Sequence, residues 1–454
     1  VFSYSLILDI ASSNTDENSL LVHILGEPIA LSPNELSEHQ LWINRNALSI
    51  ASTAINTWQQ ITLPRQTWIS EIQFHPDDHD KIYVVYENPA DPDAIFADEQ
   101  IFMIDLTNNI AYDITKGNLP LSRLKSLIVI NNDPMANFIA TDFGVYYTND
   151  QLTEWQLVGK GLPNVGSTKL QLNTSNRTLR LGTYGRGVWE LALPCEASSG
   201  ELVIQTDTRW DSPRFLTGNL KISNNATLTL GTNAIVAMPE KKKIVIEQGS
   251  KLVVDGARIT SSCTAPWQGV EVWGNTSASQ YALPGQPCPH GKLVLQNGAT
   301  IENALNAVAL WKPGDYSKSG GIIVATDAVF KNNKRSVKFI SYQNFNPAVP
   351  TELFGNASYF TNCTFTVDQD YLISNPFDAH ITLWDVSGVQ FKGNTFQSSL
   401  SETPGKGIYS IDANYQMLPM CSSQTTPCPA QNLVPNSFSG FDAAIEAANA
   451  GNSC

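Results

Sequence analysis

Cysteine is missing from the first 194 residues, and all seven cysteines (Cys195, Cys263, Cys288, Cys363, Cys421, Cys428 and Cys454) come later. No two of them form a Cys-x-x-Cys pair, so the usual zinc-ribbon spacing is excluded. Charge is also scarce: only 15% of residues are charged, and 28 Lys+Arg face 42 Asp+Glu for a net charge of -14. With no extended basic run and no basic amphipathic helix, nucleic-acid binding and attraction to anionic membranes are excluded. Nothing approaches the run of about 18 apolar residues that a membrane-spanning helix needs. No membrane insertion is expected within this chain.

Asn, Thr, Ser and Gly are plentiful, and β-branched residues alternate with polar ones along most of the chain. That is an all-β composition with many turns. Cys421 and Cys428 flank a Ser/Thr/Pro loop and are candidates to pair; Cys263 and Cys288 flank a second candidate loop. Disulfides imply an oxidising compartment, and an odd count leaves one thiol over.

The first half repeats one unit. Leu63-Pro64, Leu119-Pro120 and Leu162-Pro163 mark joints 56 and 43 residues apart. Between joints, an alternating strand turns at an Asx-rich corner into another strand: Ile69–Phe74 into Lys81–Tyr86, Leu124–Ile130 into Asn137–Thr141, Leu170–Leu172 into Thr178–Leu181. Four-stranded repeats of roughly 40–45 residues are the signature of a β-propeller. One more, irregular blade is read from residues 5–62. The last unit stops at Leu193 after three strands and the tight turn Tyr184-Gly-Arg-Gly187.

Val145-Tyr-Tyr-Thr-Asn-Asp-Gln-Leu-Thr-Glu-Trp155 resembles a degenerate Asp-box of sialidase-like (BNR) propellers. Thr148 stands for its Ser, Asp150 and Trp155 match, and Leu152 replaces its Gly. The resemblance implies a structural clasp, with the Asp side chain bonding turn amides and the Trp packed between blades. Such propellers usually have six or more blades, so Val1 is read as a boundary inside a larger propeller.

Beyond Cys195 the periodicity changes. Short β-runs such as Lys243–Glu247, Lys251–Asp255 and Lys292–Leu295 end at Gly or Asn corners. An apolar-x-Asn element recurs in Ile301-Glu-Asn303, Phe330-Lys-Asn332 and Phe360-Thr-Asn362, and in displaced form in Phe391-Lys-Gly-Asn394. The apolar residues are 29, 30 and 31 apart, which suits one turn of a three-sided coil with stacked ladders. Together with Ser250–Thr260, this half resembles the right-handed parallel β-helix of the pectin-lyase-like superfamily, as found after propellers in large bacterial secreted proteins. The ladder asparagines are expected to cap corner backbone groups. The expected division is blades over 1–194, a linker over 195–205, and a β-helix over 206–454 that continues past Cys454.

Candidates for chemistry are few. Asp368, Asp370, Asp378 and His380 form the one acidic constellation of the second half, and the polygalacturonase motifs Asn-Thr-Asp, Gly-His-Gly and Arg-Ile-Lys are absent from it. Paired carboxylates would be needed for acid/base work on a glycan. Asp91, Asp93, Asp98 and Glu99 on an inserted loop are calcium candidates, because several oxygens on one loop suit that ion. No other cofactor is expected. Trp267, Trp273, Trp311 and Trp384 are candidate sugar-stacking residues, with core packing as the competing role. The expected function is a non-catalytic adhesive, glycan-binding or structural scaffold of a secreted or cell-surface bacterial protein. A polysaccharide hydrolase or lyase with its site on the β-helix is the alternative, resting on fold analogy alone.

Overall fold

The computed structural model describes residues 6–26, 39–48, 57–87, 99–120, 122–132, 136–150, 152–158, 162, 165–174, 177–193, 199–262, 265–283, 285–402, 404–423 and 427–449. The chain divides into two compact units, Val1–Pro194 and Cys195–Cys454. Both are built from strands.

The first unit holds four propeller blades. Leu6–Ser12, Leu20–Leu25, His39–Asn44 and Trp58–Ile61 form the first, each strand antiparallel to the next. Ile69–His75, Asp78–Tyr86, Ile101–Asp105 and Ile110–Asp113 form the second. Leu124–Asn132, Ala136–Thr141, Gly144–Asn149 and Gln156–Val158 form the third. The fourth has three strands, Ser167–Asn173, Thr178–Thr183 and Gly187–Ala192. Alternation in these strands supplies apolar faces that fill the space between blades. Leu21, Leu41 and Ile43 of the first blade pack with Ile72, Phe74 and Val84 of the second.

Trp155 is buried with Tyr83, Val85 and Ile101 of the second blade and Leu124, Leu127 and Ile139 of the third. Its indole Nε1 donates to the Thr115 carbonyl at 2.8 Å. The clasp expected at this turn differs in one respect. Asn149 Oδ1 accepts from the Leu152 amide at 2.9 Å, and Lys116 Nζ donates to Thr148 Oγ1 and to the Asn149 carbonyl, while Asp150 is exposed. Asn149 points inward along the turn, and the neighbouring Asp150 therefore points out.

The second unit is a parallel β-helix with three faces. Nine strands build the first face: Glu201–Ile204, Asn219–Ile222, Lys243–Ile246, Gly269–Val272, Asn306–Ala309, Arg335–Lys338, Ala379–Trp384, Lys406–Ile411 and Ala443–Ala448. Eight build the second, from Thr208–Trp210 through Lys251–Asp255, Lys292–Gln296, Ile322–Thr326 and Tyr359–Thr361 to Asn414–Leu418. The third runs from Arg214–Phe215 through Arg258–Ser261, Thr300–Glu302, Val329–Lys331, Thr364–Val367 and Thr395–Ser398 to Ser437–Ser439. Glu201–Ile204, read from sequence as connecting chain, pairs in register with Asn219–Ile222 and is the first strand of the helix.

Inward residues stack coil upon coil. On the third face Ile301 pairs with Phe330, Phe330 with Phe365, and Phe365 with Phe396. Successive phenylalanine rings lie 4.8, 4.6 and 4.6 Å apart and nearly parallel, ending on Phe438. That distance is the spacing between neighbouring strands, about 4.8 Å. Phe360 belongs to a different ladder, on the second face between Ala325 and Phe391.

The single repeat expected from the 29-, 30- and 31-residue spacings therefore merges two ladders. Apolar-x-Asn marks a strand ending at a left-handed corner, and such corners occur on both faces. Asn303 and Asn332 turn from the third face to the first, while Asn362 turns from the second to the third, with φ of 59°, 53° and 53°.

Asparagine does cap backbone groups between coils, in the expected manner for Asn394. Its Oδ1 accepts from the Cys363 amide at 2.8 Å and its Nδ2 donates to the Phe360 carbonyl at 3.1 Å. Asn333 repeats the device on Ala304 and Ile301, at 2.9 Å each.

Candidate functional site

The first face carries an aromatic stripe where its strands end. Trp273 follows Gly269–Val272, Trp311 follows Asn306–Ala309, and Trp384 closes Ala379–Trp384. These are residues of separate coils, joined along the stripe by Ile340, which is buried with Trp311 and Ala309. Tyr316, 64% exposed, and Trp384, 42% exposed, present their rings to solvent.

A groove of about 290 Å³ runs beside the stripe, lined among others by Trp311, Tyr316, Trp384 and Tyr409 with Arg335, Lys338 and Asp378. Parallel register sets its floor, placing Lys338 beside Thr382 and Thr382 beside Tyr409 on adjacent strands.

Cations are placed on these rings. Lys312 and Lys318 hold their ammonium groups 4.9 and 4.6 Å from the Trp273 ring centre, Lys338 sits 5.2 Å from Trp311, and Lys406 sits 4.4 Å from Tyr409. Such contacts fix both the lysine and the ring face it covers. Arg335 and Asp378 pair at 2.5 Å at the groove wall. Burial pushes the Lys338 ammonium below the usual lysine range, and the positive charge of Arg335 adds to that. Thr382 Oγ1 is buried in the groove floor with no hydrogen-bond partner among the described residues. A groove of aromatic rings and cations can stack on a ring and bond its substituents.

The other residues singled out in the sequence scatter. Trp267 is fully buried and donates through Nε1 to the Glu302 carbonyl at 2.9 Å, so it is a core residue and not a stacking platform. Asp368 pairs with Lys331 at 3.0 Å and accepts from Asn332 Nδ2 at 2.8 Å. Asp370 is exposed and donates its amide to Asp368. His380 is sealed in the core against Phe365, Phe377, Phe396 and Phe441. Its Nδ1 meets Ser336 Oγ at 3.1 Å, and burial pulls its pKa down to about 3. The carboxylates of Asp368 and Asp378 are thus held by different cations, and the imidazole faces away from solvent.

Glu99 is exposed, and its carbonyl accepts from Arg65; Asp91, Asp93 and Asp98 lie outside the described residues. Among the described residues no three His, Cys, Asp or Glu side chains are grouped to hold a metal ion. Cys421 and Cys428 form a disulfide with a Cα separation of 5.9 Å. Cys288 is a free thiol, so the pairing expected between it and Cys263 is not made; Cys263 itself lies outside the described residues. Lys338, Arg335 and Tyr409, central to the groove, have no motif in the sequence, and only their place on adjacent strands brings them together.

No protein-family model matches the chain, and no curated protein matches it. Solved structures do show similarity. The β-propeller domain of Myceliophteria thermophila Cps50 (Swd1) matches with 12% identity over 41% of this chain and 52% of its own, at a TM-score of 0.28. The GH74 enzyme of Niastella koreensis matches with 10% identity over 44% of this chain and 32% of its own, at 0.31. YCF48 from Cyanidioschyzon merolae matches with 8% identity over 43% of this chain and 74% of its own, at 0.24. The match thus spans about half the length of the first of these proteins and about a third of the second.

Proposed function

We propose that this chain is a non-catalytic glycan-binding scaffold of a secreted or cell-surface protein, and that the groove on the first face of its β-helix holds the glycan. The observation that carries this reading is the alignment of Trp311, Tyr316, Trp384 and Tyr409 along one groove with Arg335 and Lys338 at its floor and wall. The disulfide between Cys421 and Cys428 supports an oxidising, extracellular compartment. We read the blades as sialidase-like and the coils as pectin-lyase-like, on the Trp155 clasp and on the asparagine corners respectively.

A scaffold role is favoured over hydrolysis because, among the described residues, Asp378 is the one carboxylate lining the groove, already paired with Arg335, whereas glycoside hydrolysis takes two. The test is a glycan array of plant, algal and host polysaccharides probed with the intact chain and with Trp384→Ala. Binding that is lost in the variant supports the reading. Binding that survives Trp384→Ala, or no binding at all, removes it.

A further inference from the structure

The second face of the β-helix carries another opening, whose lining shares no residue with the groove on the first face. It has a volume of about 440 Å³, within the range of small-molecule sites, about 300–1,000 Å³. Its floor is a ladder of outward residues: Lys292 pairs with Ile322, and Val324 pairs with Tyr359, which pairs with Gln390. Its walls come from two insertions, residues 273–283 with 285–291 and residues 341–358, which supply Tyr281, Cys288 and Asn356.

These insertions are pinned by a buried polar network. Asn344, almost fully buried, accepts from the Gln280 amide at 2.9 Å and donates to the Gly355 carbonyl at 2.8 Å. The Gln280 side chain is used at both ends, donating to the Gly320 carbonyl at 3.0 Å and accepting from the Ala357 amide at 2.8 Å. Tyr342 Oη donates to the Ala278 carbonyl at 2.7 Å, and the buried His290 ring lies against Tyr342. A satisfied network of this kind locks its loops in one arrangement. Loops locked around an opening, and not closed over it, form a preorganised site.

We propose that this opening is a second saccharide site, taking a single sugar unit and independent of the stripe on the first face. Tyr281 and Tyr359 are 45% and 38% exposed, so two rings are available for stacking. Gln390 and Lys292 supply donors and an acceptor for hydroxyl groups. A peptide is a poorer fit. The floor strands are hydrogen-bonded on both sides within the sheet, leaving no edge for an added strand.

Cys288, a half-exposed free thiol on the wall, reports occupancy. The experiment follows its alkylation by iodoacetamide at peptide level in the full chain. The probes are the methyl glycosides of galactose, N-acetylglucosamine and galacturonic acid, and tetraglycine. At least one glycoside is expected to slow alkylation saturably. Tyr359→Ala and Lys292→Ala, both on partly exposed side chains, should each weaken that protection roughly tenfold, the scale of losing one anchor. Trp384→Ala should leave it unchanged, which separates this site from the groove on the first face. The proposal is overturned if no glycoside protects Cys288, if protection survives both floor variants, or if tetraglycine protects in place of the sugars.

Discussion

The ammonium of Lys338 lies 5.2 Å from the centre of the Trp311 ring, above a groove floor it shares with Thr382. The pair covers one ring face with a cation and leaves a charge within reach of whatever lies in the groove. Burial and Arg335 together depress that lysine, so its charge is lost at a lower pH than for a lysine in water. Binding of an acidic glycan is expected to fall as pH rises toward the lysine range, earlier than for a surface lysine. Lys338→Arg should retain binding into more alkaline solution, and Lys338→Met should lose acidic glycans while keeping neutral ones. Titration calorimetry across pH checks both.

The phenylalanine ladder gives a stability prediction. Phe396 is fully buried and stacks between Phe365 and Phe438 at 4.6 Å on each side. Phe396→Ala should destabilise the chain by about 3–5 kcal/mol through lost burial and the cavity left behind. Trp384→Ala, on the surface, should change stability by no more than about 0.5 kcal/mol. Urea unfolding followed by circular dichroism compares the two.

Asn394 joins two coils through one acceptor and one donor contact to backbone. Asn394→Ala leaves the Cys363 amide and the Phe360 carbonyl unpaired in the core, at a cost of about 2–6 kcal/mol for the two. Asn394→Asp should be no better, because it keeps the acceptor, loses the donor and buries a charge. Equal stability of Asn394→Asp and the parent in urea unfolding would refute this account.

His380 makes the fold acid-sensitive. Its pKa is about 3 in the folded chain against its ordinary 6.5. Between those values the unfolded chain holds the proton and the folded chain does not, so stability falls as pH drops through that window. Above it both states are neutral and the contribution is constant. The full difference is of order 5 kcal/mol. His380→Phe should flatten the acid limb of stability against pH between pH 6 and pH 4, whatever its effect at neutrality. The comparison is of urea midpoints at both pH values, and parallel limbs for the two proteins would count against it.

The disulfide closes a short loop, Cys421 and Cys428 being seven positions apart in sequence, and flanks the antiparallel pair Met420–Cys421 with Leu433–Val434. Short loops give modest chain-entropy stabilisation, on the order of 2 kcal/mol. Reduction should accelerate amide exchange at Met420–Ser422 and Leu433–Val434 while leaving Phe365 and Phe396 protected. Hydrogen exchange with and without reductant reads this directly.

Much of the architecture follows from local pattern. Alternation in strands such as Ile69–His75 and Lys251–Asp255, Asx-rich turns, and left-handed asparagines at strand ends all act over a few residues, so their meaning survives without the rest of the chain. Blade strands, coil strands and the Cys421–Cys428 pairing are legible for that reason. Which coil residue stacks on which is not. Phe330 meets Phe365 across 35 positions and Phe396 meets Phe438 across 42, because insertions at the corners lengthen some coils and not others.

The fate of each tryptophan and histidine is a tertiary decision of the same kind. Trp267 and Trp384 are one residue type, yet one is sealed in the core and the other faces solvent. His380, two residues from the groove-lining Asp378, turns inward onto phenylalanines contributed by other coils. The amino-acid sequence by itself determined that this chain would make antiparallel blades and then parallel coils. Only the tertiary structure decided where aromatic rings and cations from separate coils converge, because parallel register joins residues that no local pattern links.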